Sequence, residues 1–153
     1  MKVVLASDHR GFRLKDILKQ FLNDRRIETI DVGCFSADSV DYPDYGGPAA
    51  EKVSRGECDR GIVMCGSGIG MCIIANKFPN VRCALCHNTQ AAQMSRRHND
   101  TNVLSLAADV IDETLARSIV KTWIETEFEG GRHQRRLNKI RAIENQREDD
   151  CTK

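Results

Sequence analysis

The chain has 153 residues, enough for one domain with a buried core, and its 41% apolar and 29% charged residues are usual for a globular protein. Lys and Arg number 23 against 22 Asp and Glu, a net charge of +1, so no global field favours nucleic acid or an anionic membrane. The opening MKVVLASDHRG turns polar too early for a signal-peptide core, and no stretch reaches the roughly 18 apolar residues of a membrane span, which points to the cytoplasm.

In chain order, KVVLAS (2–7) reads as a short buried strand. From Arg10 to Asp24, Phe12, Leu14, Ile17, Leu18, Phe21 and Leu22 recur at helical spacing. IETIDV (27–32) alternates as a second strand and stops at Gly33. Residues 34–47 read as a loop in which Pro43 limits any helix before it, and 48–55 as a helix. RGIVMC (60–65) predicts the third strand, followed by a glycine turn and a helix to about Lys77. VRCALC (81–86) predicts the fourth strand, 89–98 a helix, NVLSLA (102–107) the fifth strand, and 112–127 a long helix containing Trp123.

Five βα units with near-continuous apolar strands predict a single-domain, doubly wound, Rossmann-like α/β/α sandwich on a five-stranded parallel sheet. The core is expected to span 1–130. Residues 131–153 form an extra C-terminal helix and tail, in which Leu137, Ile140 and Ile143 make an apolar stripe suited to a partner subunit. Such sheets bind ligands beyond the C-terminal ends of their strands. Chemistry is therefore expected at Ser7-Asp8-His9, the 33–45 loop, Cys65–Gly70, His87-Asn88 and 107–109.

The turn CGSGIG (65–70) has no Lys, so it is not a Walker loop. It follows the third strand rather than the first, and no acid lies about 20 residues on, so a dinucleotide fingerprint fails as well. What remains is a run of amides, those of Gly66, Ser67, Gly68, Ile69 and Gly70, at a helix N-terminus. They suit any anion, including a transient oxyanion. The chain's seven cysteines are an odd number without a secretory signal, which argues against a disulfide framework. Cys83 and Cys86 fall on opposite faces of a strand, poor geometry for a shared zinc ion. Cys65 alone sits at a strand's C-terminal end against the anion-friendly loop, and a reactive thiolate and a buried small hydrophobe are both open to it. Asp8 reads as an N-cap or a ligand contact, His98 as a helix-terminal charge or a proton donor, and Arg132 with Arg136 as a solvated face or a phosphate grip.

Taken together, ASDHRGF, DYPDY, CGSGIGM, ANKFPNVRCALC, SRRHNDTNVL and EFEGGRHQRR resemble the type B ribose-5-phosphate isomerase family and its galactose- and allose-6-phosphate isomerase relatives, almost end to end. The resemblance implies a cofactor-independent aldose–ketose isomerase without a metal, acting on a small phosphorylated sugar as a homodimer or a tetramer of such dimers. The active site would lie between subunits. It assigns Cys65 as the base that moves a proton between C2 and C1, and the 66–70 amides with Ser67 as the enediolate hole. His98 becomes the acid that opens the sugar ring, and Asp8, His9, Tyr42 and Asn99 become sugar contacts. Arg132 and Arg136 become the phosphate grip across the dimer, with His9 nearby. Relatives commonly carry Gly and Arg at the positions of Ala107 and Asp109. An acid at 109 repels a phosphate, so either another basic residue such as Arg135 compensates or the substrate pose differs. A hexose 6-phosphate substrate and a non-catalytic sugar-phosphate-binding protein stand as alternatives.

Overall fold

The structure is a computed structural model that describes residues 1–151, the side chains of 147–151 excepted. The elements run β1 (Lys2–Ser7), α1 (Phe12–Asn23), β2 (Glu28–Asp31), α2 (Pro43–Ser54), β3 (Arg60–Cys65), α3 (Ile69–Ala75), β4 (Cys83–Leu85), α4 (Thr89–Asn99), β5 (Val103–Ala107), α5 (Glu113–Glu125) and α6 (Arg132–Cys151). The strands form one parallel sheet in the order β2-β1-β3-β5-β4. This is the five-stranded doubly wound sheet expected from the apolar runs.

The central strands β1, β3 and β5 are buried on both faces while β2 and β4 are half-buried, and the period of two divides their side chains between two cores. Val3, Leu5, Ile62, Met64, Leu104 and Leu106 pack with the inward stripes of α1, α4 and α5 around Trp123. Val4, Ala6, Val63 and Cys65 pack with Ala49, Ala50 and Val53 of α2 and with Met71 of α3. Cys83 joins the second core and Cys86 the first, so the two thiols point to opposite sides of the sheet. Asn88 and Asp112 cap α4 and α5, their side chains accepting from the N–H groups of Ala91 and Leu115 at 2.8 and 2.7 Å.

Two boundaries differ from the sequence reading. Helix α2 begins at Pro43 rather than 48, because proline's fixed φ starts a helix at its first position. Gly46 then lets α2 press onto α3, since a Cβ there would stand 2.6 Å from Met71 Sδ. Strand β4 is three residues rather than six, an edge strand bonded only to β5. On α6, Leu137 is buried while Ile140 and Ile143 are exposed, so the chain itself covers only the start of that stripe. The polar tail beyond Cys151 lies outside the described residues.

Candidate active site

The strand order reverses between β1 and β3, and the C-terminal ends of these two strands carry Ser7-Asp8 and Cys65-Gly66 side by side. Cys65 is 5% exposed and its Sγ accepts the Gly68 N–H at 3.2 Å, a donor placed to hold negative charge on sulfur. Gly68 carries φ +72°, the left-handed region that glycine tolerates. A Cβ there would meet Leu85 Cδ1 at 2.5 Å and the Leu106 carbonyl at 3.0 Å. Its carbonyl accepts the Ser105 hydroxyl at 2.6 Å, so the loop is tied to β5 from beneath. The Ile69 N–H is taken by Ser67 Oγ at 3.3 Å.

Around this loop lies an open cleft of about 580 Å³ lined by Asp8, Arg10, Tyr42, Cys65, Gly66, Ser67, Gly70 and Asp109. Gly70 is packed beneath the Tyr42 ring, 2.7 Å from where a Cβ would be. Asp8 is buried and is not the N-cap, a position held by Gly11. Its Oδ1 accepts from the N–H groups of Arg10 and Gly11 at 2.9 and 3.0 Å, closing the turn that starts α1. His9 stands outside the cleft lining, its Nδ1 accepting the Val40 N–H at 3.2 Å. Asp109 pairs with Arg10 at 2.6 Å rather than with Arg135.

The remaining expected residues lie elsewhere. Helix α4 starts just after β4 ends and finishes just before β5 begins. His98 and Asn99 therefore sit where strands start, whereas Cys65 sits where a strand ends. The five residues of β5 alone span about 17 Å. Arg82, at the entry to β4, donates to the Asn99 carbonyl at 3.0 Å and fixes that placement. His98 stacks on His133 of α6 with ring centroids 4.2 Å apart, and Glu129 Oε2 lies 3.7 and 3.6 Å from the two Nε2 atoms. Burial, helped by the charges of His98, Arg132 and Arg136, pushes the His133 imidazole below its ordinary pKa. Arg97 holds the Glu129 carboxyl below the usual range. The donor atoms of His98, Glu129 and His133 lie within 4.8 Å of one another. The rings are parallel to within 6°, so their in-plane lone pairs do not converge, and Glu129 is already engaged by Arg97. Arg132 and Arg136 open the exposed face of α6 beside that trio.

The chain therefore carries the expected residues at opposite ends of its sheet: Cys65, the glycine loop, Asp8 and Tyr42 at one, and His98, Asn99, Arg132 and Arg136 at the other. Sequence reasoning missed Ser105, Arg10, Glu129 and His133. The polar Ser105 inside the apolar run VLSLA was a usable signal for the first. No local pattern identified the others.

Residues 3–140 match the model of a family described as Ribose/Galactose Isomerase. The chain is 44% identical to ribose-5-phosphate isomerase B of Escherichia coli (strain K12), over 95% of this chain and 98% of that one. Its structure superposes on ribose-5-phosphate isomerase B of Clostridium thermocellum with a TM-score of 0.94, at 51% identity, covering 95% of this chain and 99% of that one. The Mycoplasma genitalium ribose-5-phosphate isomerase B with bound ribulose-5-phosphate superposes with a TM-score of 0.91 at 36% identity, covering 94% and 96%.

Proposed function

The chain belongs to the ribose/galactose isomerase family, and from that membership we propose that it is an aldose–ketose isomerase interconverting ribose 5-phosphate and ribulose 5-phosphate. The relatives named ribose-5-phosphate isomerase B, matched over nearly their whole length, support the substrate. The observation that carries the chemistry is Cys65 seated against the glycine loop at the sheet's switch point.

The reaction needs a base for a weakly acidic C–H and donors for the oxyanion that forms. The Cys65 thiolate takes the C2 proton of the open-chain aldose, and the electron pair moves onto the C1 carbonyl oxygen. The Ser67 and Gly70 N–H groups, at the open end of α3, receive that oxygen. The thiol then returns its proton to C1 while the hydroxyl proton leaves O2, giving the ketose. Ser67 Oγ is the group within the loop able to relay the proton between O2 and O1. His98 opens the furanose by protonating the ring oxygen, with Asn99 beside it, and Asp8 and Tyr42, which line the cleft, contact the sugar, whereas His9 stands outside that lining. No step calls on a cofactor.

Because His98 and Cys65 stand at opposite ends of one sheet, the site is completed by a second copy. An isologous pair with opposed sheets brings His98, Asn99, Arg132 and Arg136 of one copy to the Cys65 cleft of the other. The exposed Ile69 and Ile73 of α3 suit burial in such a contact, as do Ile140 and Ile143. Arg132 and Arg136 then grip the phosphate, away from the reacting carbons. No helix among the described residues is long and apolar enough to cross a membrane. The free cysteines among the described residues suit the reducing cytoplasm.

Cys65→Ala is expected to lower kcat for ribose 5-phosphate by about 10²–10⁴-fold with an unchanged circular dichroism spectrum. Solvent deuterium incorporation into the sugar should vanish with it. A variant that keeps near-normal turnover removes the thiol base. A panel of pentose and hexose phosphates tests the substrate, and phosphate-dependent binding with no turnover of any of them supports a binding protein instead.

A further inference from the structure

Among the described residues lining the Cys65 cleft, Arg10 is the only cation, and it faces two carboxylates, Asp8 and Asp109. Asp8 Oδ1 is committed to the backbone. Its bonds to the Arg10 and Gly11 N–H groups fix the point where the Arg10 side chain leaves the chain. Asp109 engages one corner of the guanidinium, with Oδ2 2.6 Å from Nη2. A guanidinium has more N–H donors than one carboxylate oxygen uses, so the Nε and Nη1 sides remain for another anion. The pair is 59% and 43% exposed. An ion pair that open to water contributes little to stability, so folding alone gives it little purpose.

Its position is specific. The pair lies across Gly66, where a Cβ would stand 2.8 Å from Arg10 Nε and closer still to Asp109 Oδ2. The missing side chain at 66 thus leaves room for the guanidinium to rest on the loop that carries the base. Without Arg10, a dianionic substrate entering this cleft would meet two acids and no cation from its own subunit.

We propose that Arg10, laid across Gly66 and oriented by Asp109, is a ligand for the substrate's phosphate within this chain's own cleft. It acts beside the arginines delivered by the second copy. Asp109 here is a positioning group and not a net repulsive charge, because Arg10 neutralises it. The inference rests on the sugar-phosphate isomerase reading for its substrate, but not for its test, which uses inorganic phosphate.

Binding of inorganic phosphate to the full-length protein and to Arg10→Ala is measured by calorimetry, alongside KM and kcat for ribose 5-phosphate. The expected result is a phosphate affinity and a KM each weakened about tenfold or more, with kcat changed less than about threefold. The exchanged pair Arg10→Asp with Asp109→Arg should recover phosphate affinity to within about threefold, because the cleft wall again holds a cation beside a carboxylate. Phosphate affinity and KM within about twofold of wild type in Arg10→Ala would overturn the proposal, whatever happens to the melting temperature. If the wild type turns over no ribose 5-phosphate, the isomerase reading fails by itself, and the phosphate titrations still decide for or against Arg10.

Discussion

Ser105 sits in the middle of β5 with no exposed surface, and its hydroxyl holds the Gly68 carbonyl at 2.6 Å. Gly68 in turn aims its N–H at the Cys65 sulfur. Removing the hydroxyl leaves that buried carbonyl without its side-chain donor and lets the loop shift against the thiol. The carbonyl keeps the Cys72 N–H at 3.1 Å, so Ser105→Ala is expected to cost about 0.5–1.5 kcal/mol of stability and to lower kcat more than it raises KM, since it touches the geometry of the proposed base and not the phosphate. Denaturant titration with steady-state kinetics checks both, and an unchanged kcat would free the loop from this support. At this scale the sequence was informative about Cys65 and the glycines, whose types and spacing are local. It marked Ser105 as a polar residue in an apolar run but not its partner, because a hydroxyl's partner is a matter of which strand lies alongside. Asp109 was legible as an acid in a loop after β5, while its pairing with Arg10 joins residues 99 positions apart in the chain.

The ends of the elements are set by a buried charge pair that periodicity alone cannot detect. Lys15 lies on the inner face of α1 with no exposed side-chain surface, and its Nζ holds both oxygens of Asp31 at the end of β2, at 2.7 and 2.6 Å. Asp31 also accepts the Gly33 N–H at 3.1 Å, and the Gly33 carbonyl accepts the Ser7 N–H at 2.6 Å. The pair therefore braces the strand end that leads into Asp8. Burial raises the Asp31 carboxyl's pKa, but hydrogen bonds from Lys15 and Lys19 outweigh it and hold the group below its usual range. A folded-state value below the unfolded one means that stability is fully present above the ordinary carboxylate range, near about 4. It is lost as pH falls through the folded value. Asp31→Asn should cost up to about 3–5 kcal/mol at neutral pH by leaving the buried Lys15 ammonium with only its longer contact to the exposed Asp16, at 3.4 Å. The gap to wild type should narrow as pH drops toward about 3. Urea midpoints of both proteins across pH 3–7 measure this, and a gap independent of pH would mean that Asp31 is not the titrating group. The early start of α2 was hidden because its two glycines read as loop until α3 is seen pressed against Gly46 and Phe78 beside Gly47.

At the scale of the whole molecule, a single copy separates the thiol from His98 by the length of the sheet. This leads to a mixing experiment. Cys65→Ala and His98→Ala are each expected to be nearly inactive alone. After denaturation, mixing in equal parts and refolding, about a quarter of wild-type activity should return, because half the pairs are mixed and each mixed pair rebuilds one complete site. Absence of any recovery, with mixed pairs demonstrated by a tag, would place both groups in the same subunit's site.

The sequence by itself determined the sheet, its parallel sense and the strand ends at which chemistry is expected. Apolar runs and helical stripes are local consequences of burying strands under helices, and CGSGIG carries its own backbone requirements. Only the tertiary structure decided which of those residues meet. It set Arg10 against Asp109, Ser105 beneath Gly68 and Lys15 on Asp31, and it placed His98 beyond reach of Cys65 within one chain. The physical reason is the direction of the strands. In a parallel sheet every strand end of one kind gathers at one edge, so residues neighbouring in type and motif are divided between two edges by where the chain crosses.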